Sequence, residues 1–314
     1  MKPITPFEPV TSDSIPIGDW RYEIKWDGTR IVTYHSDAKT RLFNRKHHER
    51  TYHYPELTNI TQYCKADSVI FDGEVIALAE DGRPSFHEVM RRDMIKRIER
   101  VKDTREKVPI TYMVFDILFY NGDWLINRSL SERLDILGNI VIPNENVQLV
   151  SAHTDGNALF KVIQQQGMEG IICKQLNSTY TLNGKDERWR KVKNYGDIIA
   201  VIGGFTLRGG VVNALLLGQY DADGKLWYIG HAGTGKLTKA DWRNLTDVLR
   251  PDVINEKPFT NKPDRNNDAF WVKPHHTVKV QYSEWRWKER RSLRQPSIQA
   301  FIDVPAVECK LPWI

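Results

Sequence analysis

The sequence predicts an α+β chain of two domains: antiparallel strands mixed with helices over residues 1–194, then a small β-barrel of the OB-fold kind over 195–314. Three observations support this. Alternation of period two dominates the first part, interrupted by three segments of helical spacing that carry their own caps. After Lys193 the texture shifts to short apolar runs separated by Gly-rich turns, with one helical stretch. About five strands and one helix in 120 residues suit a small barrel.

Trp20–Trp26 alternates strictly, with Trp20, Tyr22, Ile24 and Trp26 on one face and Arg21, Glu23 and Lys25 on the other. Asp27-Gly28 and a second strand-like run, Thr29–Tyr34, follow. An Asp-Gly pair between two such runs predicts a two-residue hairpin, which would make Lys25 and Arg30 cross-strand neighbours. Further strands are expected at Ser68–Leu78, Ile110–Phe119, Gly170–Leu176 and Trp189–Lys193. Ser85 with Glu88 forms a capping box before Phe86, Val89, Met90, Met94, Ile98 and Val101, which keep helical spacing. Ser129 with Glu132 opens a second helix that Gly138 can close, and Asn157–Gln166, ending at Gly167, is the third. The domain boundary falls near Asn194–Asp197. Beyond it, strands are expected at Ile198–Phe205, Ala214–Tyr220, Leu226–His231 and Thr277–Trp285, with a helix near Leu237–Leu249. Asn255–Asp268, rich in Asn, Asp, Lys and Pro, reads as a long loop.

Hydrophobic residues make up 40% and charged residues 27%, the balance of a water-soluble globular chain. No apolar run approaches the roughly 18 residues a membrane span needs, and the N-terminus lacks the pattern of a secretory signal. Cys64, Cys173 and Cys309 are odd in number and far apart, matching neither a disulfide framework nor a zinc spacing. A cytoplasmic protein with no membrane partner is expected. Of the net charge of +5, residues 195–314 supply +4 (17 Lys+Arg against 13 Asp+Glu). Their densest basic stretch, Arg286 to Arg294, carries Lys288, Arg290 and Arg291 and is interleaved with Trp285 and Trp287. Such a stretch can follow a phosphate backbone; it can equally be a solvated face with two half-buried tryptophans.

Four features carry possible chemistry. Lys25 and Arg30 would be two adjacent cations, costly unless an anion bridges them, although Glu23 offers Lys25 a salt bridge. Glu74, in Phe71-Asp72-Gly73-Glu74, lies in a strand apolar on both faces. A carboxylate there requires a cation, whether a metal or a buried Lys or Arg. Glu169 and Lys174 flank another buried strand, and their convergence requires a bulge, which Gly170 permits. Trp189, Lys191 and Lys193 share a face by parity, forming either a phosphate site or a solvated edge.

Taken together, Lys25-x-Asp27-Gly-x-Arg30, Asp72-Gly-Glu74, Tyr112-x-x-Phe115-Asp116, Glu169-Gly-x-x-x-Lys174 and Lys191-x-Lys193 occur in an order that resembles the covalent nucleotidyltransferases: DNA ligases, RNA ligases and mRNA capping enzymes. The resemblance covers nearly the whole chain and looks closest to the ligase domain of bacterial end-joining DNA ligases and their minimal free-standing relatives. It implies a nucleotidyltransferase domain with ATP-grasp-like antiparallel sheets, and an ATP-dependent DNA ligase that seals 3′-hydroxyl/5′-phosphate nicks through lysyl-AMP and AMP-DNA.

By that resemblance Lys25 is the nucleophile, and Asp27 belongs to its motif. Arg30, Lys191 and Lys193 lower the amine's pKa and stabilise the phosphoryl charge. Phe115 stacks on adenine, Glu23 contacts it, and Lys174 belongs to the same pocket. Arg45 lies near the ribose or the DNA 5′-phosphate. Glu74 contacts the ribose or supports a metal, and Glu169 is the main carboxylate that helps place Mg²⁺ or Mn²⁺. The barrel closes over the site, and Arg286, Lys288, Arg290, Arg291 and Arg294 grip nicked duplex DNA. A monomer of bacterial, archaeal or viral origin is implied, without an N-terminal DNA-binding domain or polymerase and nuclease modules.

Two departures stand out. The family's terminal Arg-x-Asp-Lys is absent after Arg294-Gln-Pro296-Ser297, so self-adenylation is slow or Arg290, Arg291 or Lys310 substitutes. Arg45-Lys-His47 replaces the familiar Arg-Asn-Gly. The alternatives are an RNA ligase of the same superfamily, or a non-catalytic nucleic-acid-binding protein containing an OB-fold.

Overall fold

A computed structural model describes residues 2–233, 235–264, 267–290 and 292–312, with Lys288 described in its backbone alone. The chain forms two compact units, Met1–Asn194 and Tyr195–Ile314.

The first unit contains strands β1 (Glu8–Thr11), β2 (Trp20–Ile24), β3 (Thr29–Ser36), β4 (Lys39–Asn44), β5 (Val69–Ile76), β6 (Thr111–Tyr120), β7 (Asp123–Trp124), β8 (Val147–Leu149), β9 (Gly170–Gln175) and β10 (Lys185–Lys193). Its α-helices are α1 (Phe86–Asp93), α2 (Val101–Lys107), α3 (Leu130–Ile140) and α4 (Gly156–Gln165). One sheet runs β4-β3-β5-β6-β7, with β8 parallel to β6; the other runs β1-β10-β9-β2. The strand faces explain the layering. Odd residues of β5, Phe71 and Val75, pack with Val89 of α1 and Leu137 and Ile140 of α3. The even residue Ile70 meets Phe7, Tyr180 and Trp189 from the other side. Tyr22, Ile171, Cys173 and Val192 turn away from the first sheet onto Leu159 and Ile163 of α4. Two sheets are thus stacked between helices. Arg133 of α3 locks this arrangement, holding Asp116 of β6 through bonds of 2.7 and 2.9 Å with both side chains fully buried.

Several expectations are corrected. Asp27-Gly28 makes no hairpin: β2 and β3 lie in different sheets, and residues 25–28 cross between them. The reason is tertiary. Gly28 passes so close to β5 that a Cβ there would sit 2.2 Å from the Val75 carbonyl oxygen. Gly170 makes no bulge either, since the register of β9 with β10 is continuous from Gly170↔Lys193 to Lys174↔Trp189. Gly170 instead takes φ +147°, which turns Glu169 out of the strand line. The helix opened by Ser85 ends at Asp93, with Met94 exposed, and Val101 begins a separate helix. Gly138 lies inside α3, whose capping box at Ser129 and Glu132 is complete. Leu78 lies outside β5 and is exposed.

The second unit contains β11 (Gly196–Arg208), β12 (Val211–Tyr220), β13 (Leu226–Ala232), α5 (Lys239–Leu249), β14 (Val253–Ile254), β15 (Ala269–Val272), β16 (Thr277–Tyr282) and β17 (Ser297–Ile302). The 13-residue β11 serves two partners: its first half pairs β16 and its second half β15, while β12 runs along its other edge. β16 carries β17 in turn, and a bridge between Gly235 and Ile298 joins β17 to the segment after β13. The result is a small curled β domain with α5 packed on its core through Leu245 and Leu249. β14, β15 and β17 are too short or too polar to announce themselves. Among the described residues no helix is long and apolar enough to cross a membrane.

Candidate active site

The two sheets of the first unit diverge around a cleft of about 590 Å³. Glu23, Lys25, Arg30, Arg45, Glu74, Phe115, Lys174, Trp189 and Lys191 all line it. Parity explains why: Glu23, Lys174, Trp189 and Lys191 occupy the face of the smaller sheet opposite α4, and Arg30 and Glu74 are direct cross-strand partners on the larger sheet.

Lys25 follows the last residue of β2. Its N–H donates to the Gly170 carbonyl at 2.9 Å, and its Nζ donates to Glu169 Oε2 at 2.6 Å. Glu169 thus reaches the site through Lys25 without lining the cleft wall itself. Arg30 forks onto both oxygens of buried Asp72 (Nε–Oδ1 2.8 Å) and donates to the Phe7 carbonyl, while the Tyr180 hydroxyl donates to Asp72 Oδ2 at 2.7 Å. Burial works against the guanidinium, but Asp72 outweighs it and raises the Arg30 pKa. Glu23, almost fully buried, accepts from Lys174 Nζ at 2.7 Å and from Arg21. The Lys174 ammonium also lies 4.2 Å from the Phe115 ring centroid and 4.3 Å from that of Trp189; burial lowers its pKa, with Glu23 opposing.

Of the cations expected to cluster, Lys25 pairs with Glu169 and Arg30 with Asp72, while Glu23, the salt-bridge partner the sequence offered Lys25, holds Lys174 instead. Lys191 differs. Burial lowers its pKa, with Lys193, Lys25 and Lys185 adding to the effect. Glu74 is the converse. Burial pushes it up to about 8, Glu169 and Asp27 add to the rise, and Lys25 and Arg30 oppose it.

Other expected residues sit further out. Asp27 is buried at the N-terminus of α1, its Oδ2 3.4 Å from the Phe86 N–H. Lys193 closes β10 beyond the cleft lining, and Arg45 is an exposed rim residue 2.9 Å from Glu8. Asp72 and Tyr180 also belong to the site, although the sequence assigns neither a role there. Asp72 carries a signal: it shares the parity of Glu74 in the same doubly apolar strand. The rim cations Lys46 and Arg50 have none beyond their closeness to Arg45.

In the second unit, Trp287 is buried and Trp285 packs against the core, so neither presents a flat surface for bases. Arg286 is bound by Glu284 and Glu289 with little of its side chain exposed, and Arg294 lies 3.7 Å from Glu284. Arg290 stacks over Trp227 and Trp287, 4.8 and 5.1 Å from their centroids. Arg291 and the Lys288 side chain lie outside the described residues.

Residues 11–193, more than half the chain, match the family of the ATP-dependent DNA ligase domain, and 208–302 match that of the ATP-dependent DNA ligase C-terminal region. The chain belongs to the ATP-dependent DNA ligases. The multifunctional non-homologous end joining protein LigD of Mycolicibacterium smegmatis is 31% identical over 291 residues, covering 88% of this chain and 35% of the relative. The chain spans about a third of that relative's length. The SPbeta prophage-derived DNA ligase-like protein LigB of Bacillus subtilis is 33% identical over 195 residues, 61% of this chain and 68% of that one. A solved mycobacterial DNA ligase D complexed with ATP and MES shares the fold at TM-score 0.54 and 28% identity, covering 98% of this chain and 97% of the other. Within the family the chain keeps an α+β nucleotidyltransferase unit followed by a small β domain.

Proposed function

We propose that this ligase seals nicks in duplex DNA through a lysyl-AMP intermediate on Lys25, with residues 1–194 as the adenylation domain and 195–314 as an OB-fold domain. One observation carries this reading: Lys25 Nζ, held by Glu169, opens into a cleft whose walls also present Lys191, Arg30, Phe115 and the Glu23–Lys174 pair. The cleft is of the size that takes a nucleotide-like ligand.

Attack requires the neutral amine. Glu169, already hydrogen-bonded to Nζ, is the group placed to accept its proton. The Nζ–Pα bond then forms as the bond from Pα to the bridging oxygen breaks and pyrophosphate leaves. Lys191 and Lys193 meet the charge developing on the phosphoryl oxygens. Phe115 offers the base a face, and Glu23, immobilised between Lys174 and Arg21, offers its remaining acceptor capacity at the same wall. In the second step a DNA 5′-phosphate oxygen attacks the same phosphorus, releasing Lys25. In the third, the adjacent 3′-hydroxyl attacks the DNA phosphate and AMP departs.

A divalent ion, Mg²⁺ or Mn²⁺, fits the corner formed by Glu74 and Glu169. Glu74 has no hydrogen bond or ion pair among the described residues, is pushed up to about 8, and supplies the hard oxygens such an ion takes. When bound, the ion would neutralise charge on the triphosphate. Arg45 on the rim, with Arg286, Lys288, Arg290, Arg291 and Arg294 in the second unit, would contact DNA phosphates. The chain would act as a monomer in a reducing compartment, in keeping with three buried, unpaired cysteines.

The test is a nicked duplex carrying a labelled 5′-phosphate, offered with ATP and Mg²⁺ and with DNA or RNA on the 3′-hydroxyl side. Sealing of the all-DNA nick is expected, and its loss in Lys25→Ala unless the nick already carries 5′-AMP. Wild-type protein that seals only RNA-containing nicks would overturn the DNA assignment.

A further inference from the structure

We propose that the second unit contains a binding site for a borderline divalent transition ion of the Zn²⁺ class, built from Asp252, His275 and His276 and separate from the oxygen-rich corner at Glu74 and Glu169. The three ligand atoms lie within 4.8 Å of one another. His275 Nε2 is 3.0 Å and His276 Nε2 is 2.9 Å from the same atom, Asp252 Oδ2.

Consecutive side chains in a strand point to opposite sides, so two adjacent histidines rarely converge. Here local structure brings them together. Val253 of β14 pairs with Val272 of β15, and the ladder extends one step to Asp252, whose carbonyl accepts from the Lys273 N–H at 3.0 Å. The chain then turns through Pro274, with the His275 N–H donating to the Lys273 carbonyl, before β16 begins at Thr277. That turn swings both imidazoles over the carboxylate, their centroids 4.1 Å apart. The backbone on either side is fixed. Asp252 ends a 3₁₀ turn following α5, and the His276 carbonyl accepts from Ile202 of β11.

Two imidazoles and a carboxylate suit Zn²⁺, Co²⁺ or Ni²⁺, whereas Mg²⁺ takes oxygen ligands. Around a tetrahedral ion with ligands at about 2.0–2.1 Å, ligand atoms sit roughly 3.3 Å apart. The present 2.9 and 3.0 Å separations therefore need to open by only a few tenths of an ångström. Three protein ligands leave a fourth position for water. Both histidines also border a separate cavity of about 470 Å³ with Asp241, Phe301 and Asp303, which gives that position access to solvent. Occupancy would pin the β15–β16 turn to the end of α5 and stabilise this unit.

The experiment titrates Zn²⁺, and Co²⁺ as its coloured substitute, into the full chain after metal removal by chelator. Wild type and Glu74→Gln are each expected to bind one ion, with a tetrahedral Co²⁺ spectrum and a thermal midpoint raised by Zn²⁺. His275→Ala and His276→Ala should each weaken binding by more than the roughly 10–100-fold lost when a group that merely orients a ligand is removed, and should abolish the Zn²⁺-induced rise. His275 is half-exposed, so its replacement leaves the fold intact, which circular dichroism checks. Zn²⁺ bound equally by wild type and both histidine variants, or not bound by wild type, overturns the site.

Discussion

Lys25 Nζ donates to Glu169 Oε2 at 2.6 Å, across a pairing in which the Lys25 N–H also binds the Gly170 carbonyl. Lys25 and the Glu169–Gly170 segment are therefore joined through both backbone and side chains. The geometry depends on Gly170: at φ +147° it turns Glu169 back toward β2, and a Cβ there would meet the Val192 carbonyl oxygen at 2.3 Å. If Glu169 takes the proton from Lys25, Glu169→Gln should slow self-adenylation by about 10²–10⁴-fold, the usual contribution of a positioned base. Sealing of a pre-adenylated nick should fall much less. Single-turnover labelling with ATP carrying a labelled α-phosphate measures this, and an unchanged rate would remove Glu169 from the step.

Glu74 yields a pH prediction. Its pKa in the folded chain, about 8, lies above the ordinary value of 4.5. Below that ordinary value the group is protonated both folded and unfolded and costs nothing. As pH rises through the window to about 8, the unfolded chain ionises first and the folded chain loses relative stability; above it the full penalty is present. In chelator, Glu74→Gln should therefore raise the thermal midpoint at pH about 8.5 more than at pH about 4.5. A gain that does not grow with pH would contradict the assignment.

The buried pair Arg133–Asp116 should prove structural. Asp116→Asn leaves a fully desolvated guanidinium partly uncompensated, and the expected cost is about 3–5 kcal/mol. Chemical denaturation of the variant checks it. Asp116→Leu combined with Arg133→Met should recover most of the loss, because an apolar pair leaves no charge stranded.

Two glycines should respond in opposite directions. Gly138, exposed in the last turn of α3, has no neighbour within 4 Å of the place a methyl group would occupy, so Gly138→Ala should stabilise by up to about 1 kcal/mol. Gly28→Ala would drive a Cβ into the Val75 carbonyl, and should lower both the thermal midpoint and the adenylation rate. Thermal melts and single-turnover labelling of the two variants check both directions.

These glycines also show what was legible in the sequence. The site residues could be read because five short motifs, each weak alone, stand in an order that resembles a known family; Lys25, Arg30, Glu74, Phe115, Lys174 and Lys191 do line one cleft. Their neutralising partners were less legible. Asp72 shares a strand with Glu74, but its pairing with Arg30 depends on sheet register, which a sequence pattern does not fix. The false hairpin at Asp27-Gly28 has a related cause. A local turn preference worth little energy gives way to the packing of one sheet on another, where only glycine clears β5. In the second unit, basic residues interleaved with Trp285 and Trp287 left open a phosphate-following stretch or a solvated face with half-buried tryptophans; both tryptophans pack on the core of this small β domain, in keeping with the second reading.

The most direct measurement is the identity of the modified residue. Wild-type protein incubated with ATP and Mg²⁺, digested and sequenced by mass spectrometry, should carry AMP on the peptide containing Lys25, attached to that side chain and released by pyrophosphate. AMP on Lys174, Lys191 or any other residue, or a normal yield of adenylated protein from Lys25→Ala, would contradict the account.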